Sequence, residues 1–502
     1  MSNPDSDEFR EFLNKLQSDQ RPIALNEIKN LIAYKPNSEA IATIRAVGFT
    51  ELIECLNNTD KANVDLTCEV LKVCFDKFEP GDIIKQYTGH VMYLLRHEKS
   101  CVRKVAIDEI HRAVLASALK PVRAYIDVFV AVAQMVGDSD IGVANKSIHI
   151  TSNLPLDVYP KILDEMKIGL ENNSSTKCNV LEVVVNISSK SNEHFKLCNE
   201  RNYIDFMITE LQTDDILYQV NLLELLSRLV VQPQGINYLI KNGGLNTISS
   251  YVVSLNNHPL RGIILPGYMK FFGCIAHNYP KEIFEKHTVM LDSMFEAFET
   301  RDQTVLPVAL DTLGFIGSTI EGKLCLAALG HKYTQIVGIV TELIKNSSTE
   351  IRIRALHCFT GLISIDKDPA TPKTGPVDHR VTLMTREWFR MLDGQAMEVL
   401  LELCKNPFPD IRQASFLVLD AVCQHQWGEE LVARTAGFIE FLLDRSIVYT
   451  KETNEAKYDI IKRLSRSAAF DTTIIARLQT YIEQGPFYSE SMLEVAMDDG
   501  VN

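Results

Sequence analysis

The sequence predicts an all-α fold, a right-handed solenoid of HEAT/armadillo-type helical repeats, and two observations support this. Apolar residues recur at steps of three and four along almost the whole 502-residue chain, whereas the alternation typical of half-buried strands is almost absent. A second-helix pattern also recurs with a period near the ~40–47 residues of such repeats. We interpret 1–490 as one solenoid and 491–502 as an acidic C-terminal tail. The competing fold is an irregular helical bundle.

The segments between the apolar runs are typical of joints between packed helices. Short clusters of Asn, Asp, Ser and Thr precede apolar runs of about fifteen residues, and these side chains cap helix N-termini. The clearest clusters lie at 57–60, 137–140, 172–175 and 346–349.

One pattern recurs in phase after four of these polar turns. Counted from Val102, Val305, Ile351 and Ile411, a small residue stands four positions on, and large apolar residues stand five and eight positions on. A small residue allows close approach of two helices, and the large residues fill the shared core. The small residues are Ala106, Ala309, Ala355 and Ser415, and an arginine follows the start in three copies, as Arg103, Arg352 and Arg412.

The spacing of these copies contains one insert. The interval is 46 residues from 305 to 351 and 60 from 351 to 411. The longer interval includes 366–379, where three prolines and several charges prevent either flanking helix from continuing. We predict a surface loop there.

Composition restricts the partners and the compartment. The formal charge is −14, from 51 Lys and Arg against 65 Asp and Glu, which argues against nucleic acid and anionic membranes. A partner with a basic face fits this surplus better, although an acidic surplus is also a common aid to solubility. The eleven cysteines are scattered without a CxxC pair, as expected for reduced core residues. No secretory signal or membrane span is recognisable. We expect the protein in the cytoplasm, with the nucleus as a second compartment.

No motif predicts catalysis, a cofactor or a metal site. The segment GSTIEGK at 317–323 has the spacing of a phosphate loop, but Leu324 stands where a Ser or Thr should bind magnesium. It also follows a helix rather than a strand, so we interpret it as a joint between helices. An enzyme with an unrecognised helical active site remains an alternative.

Several short segments resemble one protein family in their order and spacing. They are LPGYMKFFG at 265–273, DTLGFIGS at 311–318, EGK at 321–323, PFPD at 407–410, GFIE at 437–440, DRS at 444–446, AKY at 456–458, RLQTY at 477–481 and GPFY at 485–488. The resemblance is to the family of the 26S proteasome non-ATPase regulatory subunit 5, and it is dense from about 258 to 488.

The resemblance implies a chaperone that promotes assembly of the proteasome regulatory particle base and is absent from the mature proteasome. Its implied partners are AAA ATPase subunits of the base, one of them held by its C-terminal helical domain in the hollow of the solenoid, and an associated non-ATPase base subunit. The family has no catalytic residues to transfer. The alternative function is an armadillo-like adaptor that binds an extended peptide in nuclear transport or signalling.

The binding surface can be predicted from the register of the second helices. Positions two and six after the small residue should face the hollow, which selects Asp311 with Phe315 and His357 with Gly361. With Gly267 as the small residue, the same rule selects Met269 and Gly273, and a shift of one residue selects Lys270 and Cys274. We prefer the shifted register, because it places a charge rather than a methionine in the hollow. The predicted protein-binding residues are Glu182, Asn186, Glu224, Arg228, Lys270, Asp311, Phe315 and His357. Their three carboxylates suggest an acid-rich stripe that suits a basic helical face.

Overall fold

The protein is described by a computed structural model that covers residues 4–365, 378–447 and 449–488. The chain divides into two compact units, Met1–Gly235 and Ile236–Asn502. Helices joined by turns build both units, and no strand occurs in the described ranges. The all-α prediction is therefore confirmed. The extent of the predicted single array stays a prediction, and the tail at 491–502 lies outside the described residues.

The first unit contains fifteen of the labelled α-helices. They are α1 (Pro4–Lys15), α2 (Arg21–Tyr34), α3 (Asn37–Val47), α4 (Thr50–Glu54), α5 (Lys61–Asp76), α6 (Asp82–Gln86), α7 (Thr88–Leu95), α8 (Ser100–Leu115), α9 (Ile126–Gln134), α10 (Ile141–Ser152), α11 (Tyr159–Met166), α12 (Ser174–Ser188), α13 (Asn192–Asn199), α14 (Tyr203–Thr209) and α15 (Ile216–Val230). Helix α16 (Pro233–Lys241) includes the border between the units.

The second unit contains the remaining labelled helices. They are α17 (Gly244–Ser254), α18 (Arg261–Asn278), α19 (Pro280–Lys286), α20 (Val289–Thr300), α21 (Leu306–Gly317), α22 (Ile320–Ala328), α23 (His331–Asn346), α24 (Thr349–Ile363), α25 (His379–Arg390), α26 (Ala396–Cys404), α27 (Pro409–Cys423), α28 (Gln426–Arg434), α29 (Phe438–Leu443), α30 (Lys451–Leu464) and α31 (Thr472–Gln484).

Equivalent helices of successive repeats form rows within each unit. In the first unit, α2, α5, α8, α10, α12 and α15 each pack against the next member of their row. In the second unit, α18, α21, α24, α27 and α30 form the corresponding row, and α17, α20 and α23 form another, as do α19, α22 and α25. Three helices per repeat is the armadillo arrangement. We call the rows that contain α12 and α21 the third-helix rows.

The repeated sequence pattern has the structural role that it predicts. Ala106, Ala309, Ala355 and Ser415 are all fully buried, as are the large residues one position after them. The arginines cap carbonyl groups of the preceding turn. Arg103 donates to the carbonyls of His97 and Glu98, Arg352 to that of Lys345 and Arg412 to that of Asn406.

The predicted insert lies between α24 and α25. Residues 366–377 are outside the described residues. At the end of the insert, the Asp378 carboxylate accepts a hydrogen bond from the backbone N–H of Arg380, and His379 is the first residue of α25. The last two residues of the predicted loop therefore cap and begin a helix.

We expect a short Gly/Ser linker in place of 366–377 to lower the free energy of unfolding by less than about 2 kcal/mol, because the entropy of loop closure changes slowly with length. Urea unfolding followed by circular dichroism measures this. The control is Asp378→Ala, which removes the cap of α25 and should cost about 1 kcal/mol. A loss of more than about 2 kcal/mol in the linker variant would show that the insert packs on the fold.

Candidate protein-binding surface

The predicted residues of the first unit lie on two neighbouring members of its third-helix row. Glu182 and Asn186 are on α12, and Glu224 and Arg228 are on α15. The i, i+4 spacing places each pair on one side of its helix. The opposite sides are apolar and buried, which fixes the orientation of both helices. We call these four residues the first cluster.

The structure brings three members of the first cluster into contact. The Arg228 guanidinium lies 3.5 Å from a carboxylate oxygen of Glu182 and donates a hydrogen bond to the side-chain oxygen of Asn186. The Asn186 amide in turn donates to the Ser152 hydroxyl at 3.2 Å. Glu224 is exposed, and it has no ion-pair partner among the residues that the structure describes. The cluster therefore keeps one net negative charge, at Glu224.

In the second unit, the surface register of α18 agrees with the preferred alternative. Lys270 is exposed and Cys274 is partly exposed, whereas Met269 is fully buried. Gly273 is also buried, because α21 packs so closely that a Cβ there would lie 2.7 Å from the Thr312 methyl group. Tight packing of the two helices thus determines which residues of α18 reach the surface.

Asp311 and His357 lie on adjacent helices beside an arginine that was not among the predicted residues. The Arg354 guanidinium is 2.5 Å from the Asp311 carboxylate. The surrounding protein desolvates His357 and lowers its pKa below the ordinary 6.5, with Asp311 opposing this effect and Arg354 adding to it. His357 is therefore uncharged at neutral pH. Asp311, His357, Phe315 and Lys270 form what we call the second cluster.

Phe315 carries a ring that is held in place at the surface. Its side chain is 44% exposed. The ring stacks on the His277 imidazole of α18, with centroids 3.9 Å apart and planes only 4° apart. The Nδ1 atom of the same imidazole is 2.8 Å from the backbone carbonyl oxygen of Phe315, within hydrogen-bond distance. The contact with His277 orients the aromatic ring before any partner arrives.

The charges differ from the expected acid-rich stripe. In the first unit Arg228 compensates Glu182, and in the second unit Arg354 compensates Asp311. Glu350 lies 3.6 Å from the same Arg354, so with Lys270 included the charges of this group cancel. The acidic character that we expected is thus confined to the first unit. The sequence does not predict this role of Arg354, because Arg354 is 43 residues from Asp311 in the chain and no motif links them.

The segment with phosphate-loop spacing is a joint between α21 and α22. The Thr319 hydroxyl accepts a hydrogen bond from the N–H of Gly322 and caps α22. Lys323 is fully buried, and its ammonium donates to the carbonyl oxygens of Gly317 and Gly361. An ammonium held by buried backbone carbonyls is not available to a phosphate. The interpretation as a helix joint is confirmed.

The described residues contain no group of three or more His, Cys, Asp or Glu side chains that could hold a metal ion. None of their helices is long and apolar enough to cross a membrane.

Comparison with known proteins gives one family over nearly the whole chain. The profile of the family described as Proteasome non-ATPase 26S subunit matches residues 6–502. Proteins named 26S proteasome non-ATPase regulatory subunit 5 are similar at 26% identity. The one from Bos taurus aligns over 94% of this chain and 95% of its own length, and the one from Mus musculus over 97% and 96%.

The similar protein from Drosophila melanogaster is also 26% identical, over 95% of each chain. Among solved structures, a designed armadillo repeat protein, YIII(Dq)4CqI, has a TM-score of 0.34 and 14% identity, covering 52% of this chain and 98% of its own.

Proposed function

The chain belongs to the family of proteasome non-ATPase 26S subunits, and on that premise we propose that it is a chaperone for assembly of the proteasome regulatory particle base. It binds an AAA ATPase subunit of the base through the C-terminal helical domain of that subunit, together with an associated non-ATPase base subunit. It leaves before the mature proteasome is complete. It acts in the cytoplasm or nucleus by binding, without catalysis. The family match over residues 6–502 is the observation that carries this proposal.

The third-helix rows support a binding role. Their helices present side chains at regular intervals, and neighbouring packed helices lie about 8–10 Å apart, so one helical domain can contact several of them. The two clusters offer a carboxylate, a neutral imidazole and an exposed aromatic ring on such rows. This mixture of anchors and polar groups is typical of a protein interface.

Charge reversal at the two clusters tests the proposal. We expect the double variant Glu224→Lys with Asp311→Lys to weaken binding of the ATPase helical domain about tenfold, because a basic face would meet new positive charges. Pull-down and titration with each recombinant ATPase C-terminal domain measure this. The melting temperature should change little, since an exposed pair such as Asp311–Arg354 contributes at most about 1 kcal/mol.

The matched control reverses two exposed acids away from the third-helix rows. Glu193→Lys on α13 with Glu299→Lys on α20 makes the same change in net charge, one in each unit. This variant should bind as the wild type does. If the folded Glu224/Asp311 variant binds with unchanged affinity, the surface is misplaced. If no ATPase domain binds the wild-type chain, the proposed function is wrong.

A further inference from the structure

We propose that Phe315 is the anchor of the second cluster and accepts an apolar side chain from the helical domain of the ATPase subunit. This inference rests on the proposed function and specifies the chemistry of its contact. It makes hydrophobic packing at one aromatic ring, rather than charge attraction at the acids, the main source of affinity in the second unit.

The Phe315 ring is exposed and already ordered. Phe315 is 44% exposed although it lies on a helix whose neighbouring residues, Gly314 and Ile316, are buried. The parallel stack on His277 covers part of the ring and holds its orientation. A partner that packs on the remaining surface therefore loses little additional side-chain entropy, which favours affinity.

On the next helix, α24, the position that corresponds to Phe315 is a glycine. Gly361 of α24 packs directly on Gly314, the residue before Phe315. A Cβ at 361 would lie 2.3 Å from the Gly314 carbonyl oxygen, so the two backbones are in contact there. Gly361 follows Ala355 by six positions, as Phe315 follows Ala309, and it adds no side chain of its own beside the ring.

Charged side chains near the ring already pair with one another. Asp311, one helical turn away on α21, is already paired with Arg354 at 2.5 Å. The low pKa of His357 keeps that imidazole neutral at pH 7. The Arg354 guanidinium also lies 3.6 Å from a Glu350 carboxylate oxygen, so the charges on this side of the ring already form an ion-pair network. A charged side chain that displaced these pairs would lose hydration as well, which is unfavourable. An apolar side chain on the ring leaves the pairs intact as a polar rim.

Substitutions at Phe315 test the proposal in the full-length chain, with the recombinant C-terminal domain of the ATPase subunit that binds the wild type as the probe. Phe315→Ala should raise the Kd about tenfold or more, because the apolar contact is lost. Phe315→Leu keeps most of the apolar area without the aromatic ring and should bind within about threefold of the wild type. The effect of Phe315→Ala should be the same at about 0.05 M and about 0.5 M salt, since apolar contacts are not screened.

The control is Phe408→Ala, which truncates a phenylalanine that is 59% exposed before α27 and should leave the Kd unchanged. Several outcomes would overturn the inference while the proposed function stands. One is an unchanged Kd for Phe315→Ala, and another is an equal rise in the Kd of Phe315→Ala and of Phe408→Ala. A third is a rise in the Kd of Phe315→Leu that is as large as that of Phe315→Ala and that disappears at high salt. The last result would indicate a cation stacked on the ring instead. A wild-type chain that binds no ATPase domain would overturn both proposals.

Discussion

Replacing Gly428 with alanine should lower the free energy of unfolding by about 3 kcal/mol, because the added methyl group has no space. A Cβ at this position would lie 2.0 Å from the carbonyl oxygen of Val422 and 2.7 Å from its Cγ1 atom. The oxygen belongs to the backbone of α27 and cannot rotate away. Helix α28 would therefore have to move out of its contact with α27. Urea unfolding of the full chain measures the change.

The control is Gly338→Ala, a substitution inside α23 in the same unit. The nearest atom to a Cβ there is the flexible end of Met391, at an ordinary 3.7 Å. Alanine is favoured over glycine within a helix, so this variant should gain about 0.5–1 kcal/mol. If Gly428→Ala unfolds at the same urea concentration as the wild type, α28 is not held against α27 as the structure indicates.

Gly428 represents a joint that recurs in the fold. Gly235 and Gly322 stand in the same relation to the carbonyls of Leu229 and Ile316, each six residues earlier, with Cβ-to-oxygen distances of 2.3 and 2.0 Å. Each joint connects the third helix of one repeat to the first helix of the next. The repeat therefore has a second marker, a glycine that permits the sharp turn after the third helix.

The sequence predicts the first marker of the repeat, the small residue, but not the second, the glycine at the joint, and the reason is physical. Small residues such as Ala309 and Ala355 stand in phase with the apolar periodicity, which a sequence shows directly. The glycine at a joint is required by the approach of two backbones, and this approach depends on tertiary packing. From the sequence, Gly322 can therefore be placed only in a joint between helices.

The candidate surface, too, could be predicted from the sequence only in part. Helical periodicity was enough to place residues such as Glu224 and Phe315 outside the core. It could not predict the pairing of Arg354 with Asp311 or of Arg228 with Asn186, which are 43 and 42 residues apart. Such contacts depend on the register between stacked helices, where a shift of one residue gives a different neighbour. The overall charge of −14 was for this reason a poor guide to the local charge of either cluster.

Four segments of the family resemblance meet around two cations near the end of the second unit. The Arg445 guanidinium lies 3.6 Å from the ring centroid of Tyr481 and donates to the carbonyls of Gly485 and Tyr488. Lys457 is 1% exposed and donates to the carbonyl of Asp444. These contacts connect the segments at 444–446, 456–458, 477–481 and 485–488, so the resemblance here reflects how α30 and α31 are held.

The burial of Lys457 has a measurable consequence for stability. Desolvation lowers its pKa from 10.5 to about 8, against a smaller opposing effect of Asp444, while Arg445 adds to the decrease. Above about pH 8 the folded state holds this lysine neutral, whereas the unfolded state keeps it protonated until about pH 10.5. The unfolded state then binds more protons, so the free energy of unfolding rises with pH across this window.

We therefore expect the wild type to gain stability relative to Lys457→Met as the pH increases. The gain should be about 1 kcal/mol between about pH 7 and about pH 9, and about 3 kcal/mol over the whole window. Urea unfolding of both proteins over this range measures the difference, in which the titration of tyrosines and cysteines common to both largely cancels. Lys462→Met removes an exposed ammonium from the same helix and controls for the loss of one positive charge. A difference between wild type and Lys457→Met that is flat or falls with pH would show that the buried ammonium is as well solvated in the folded state as in the unfolded state.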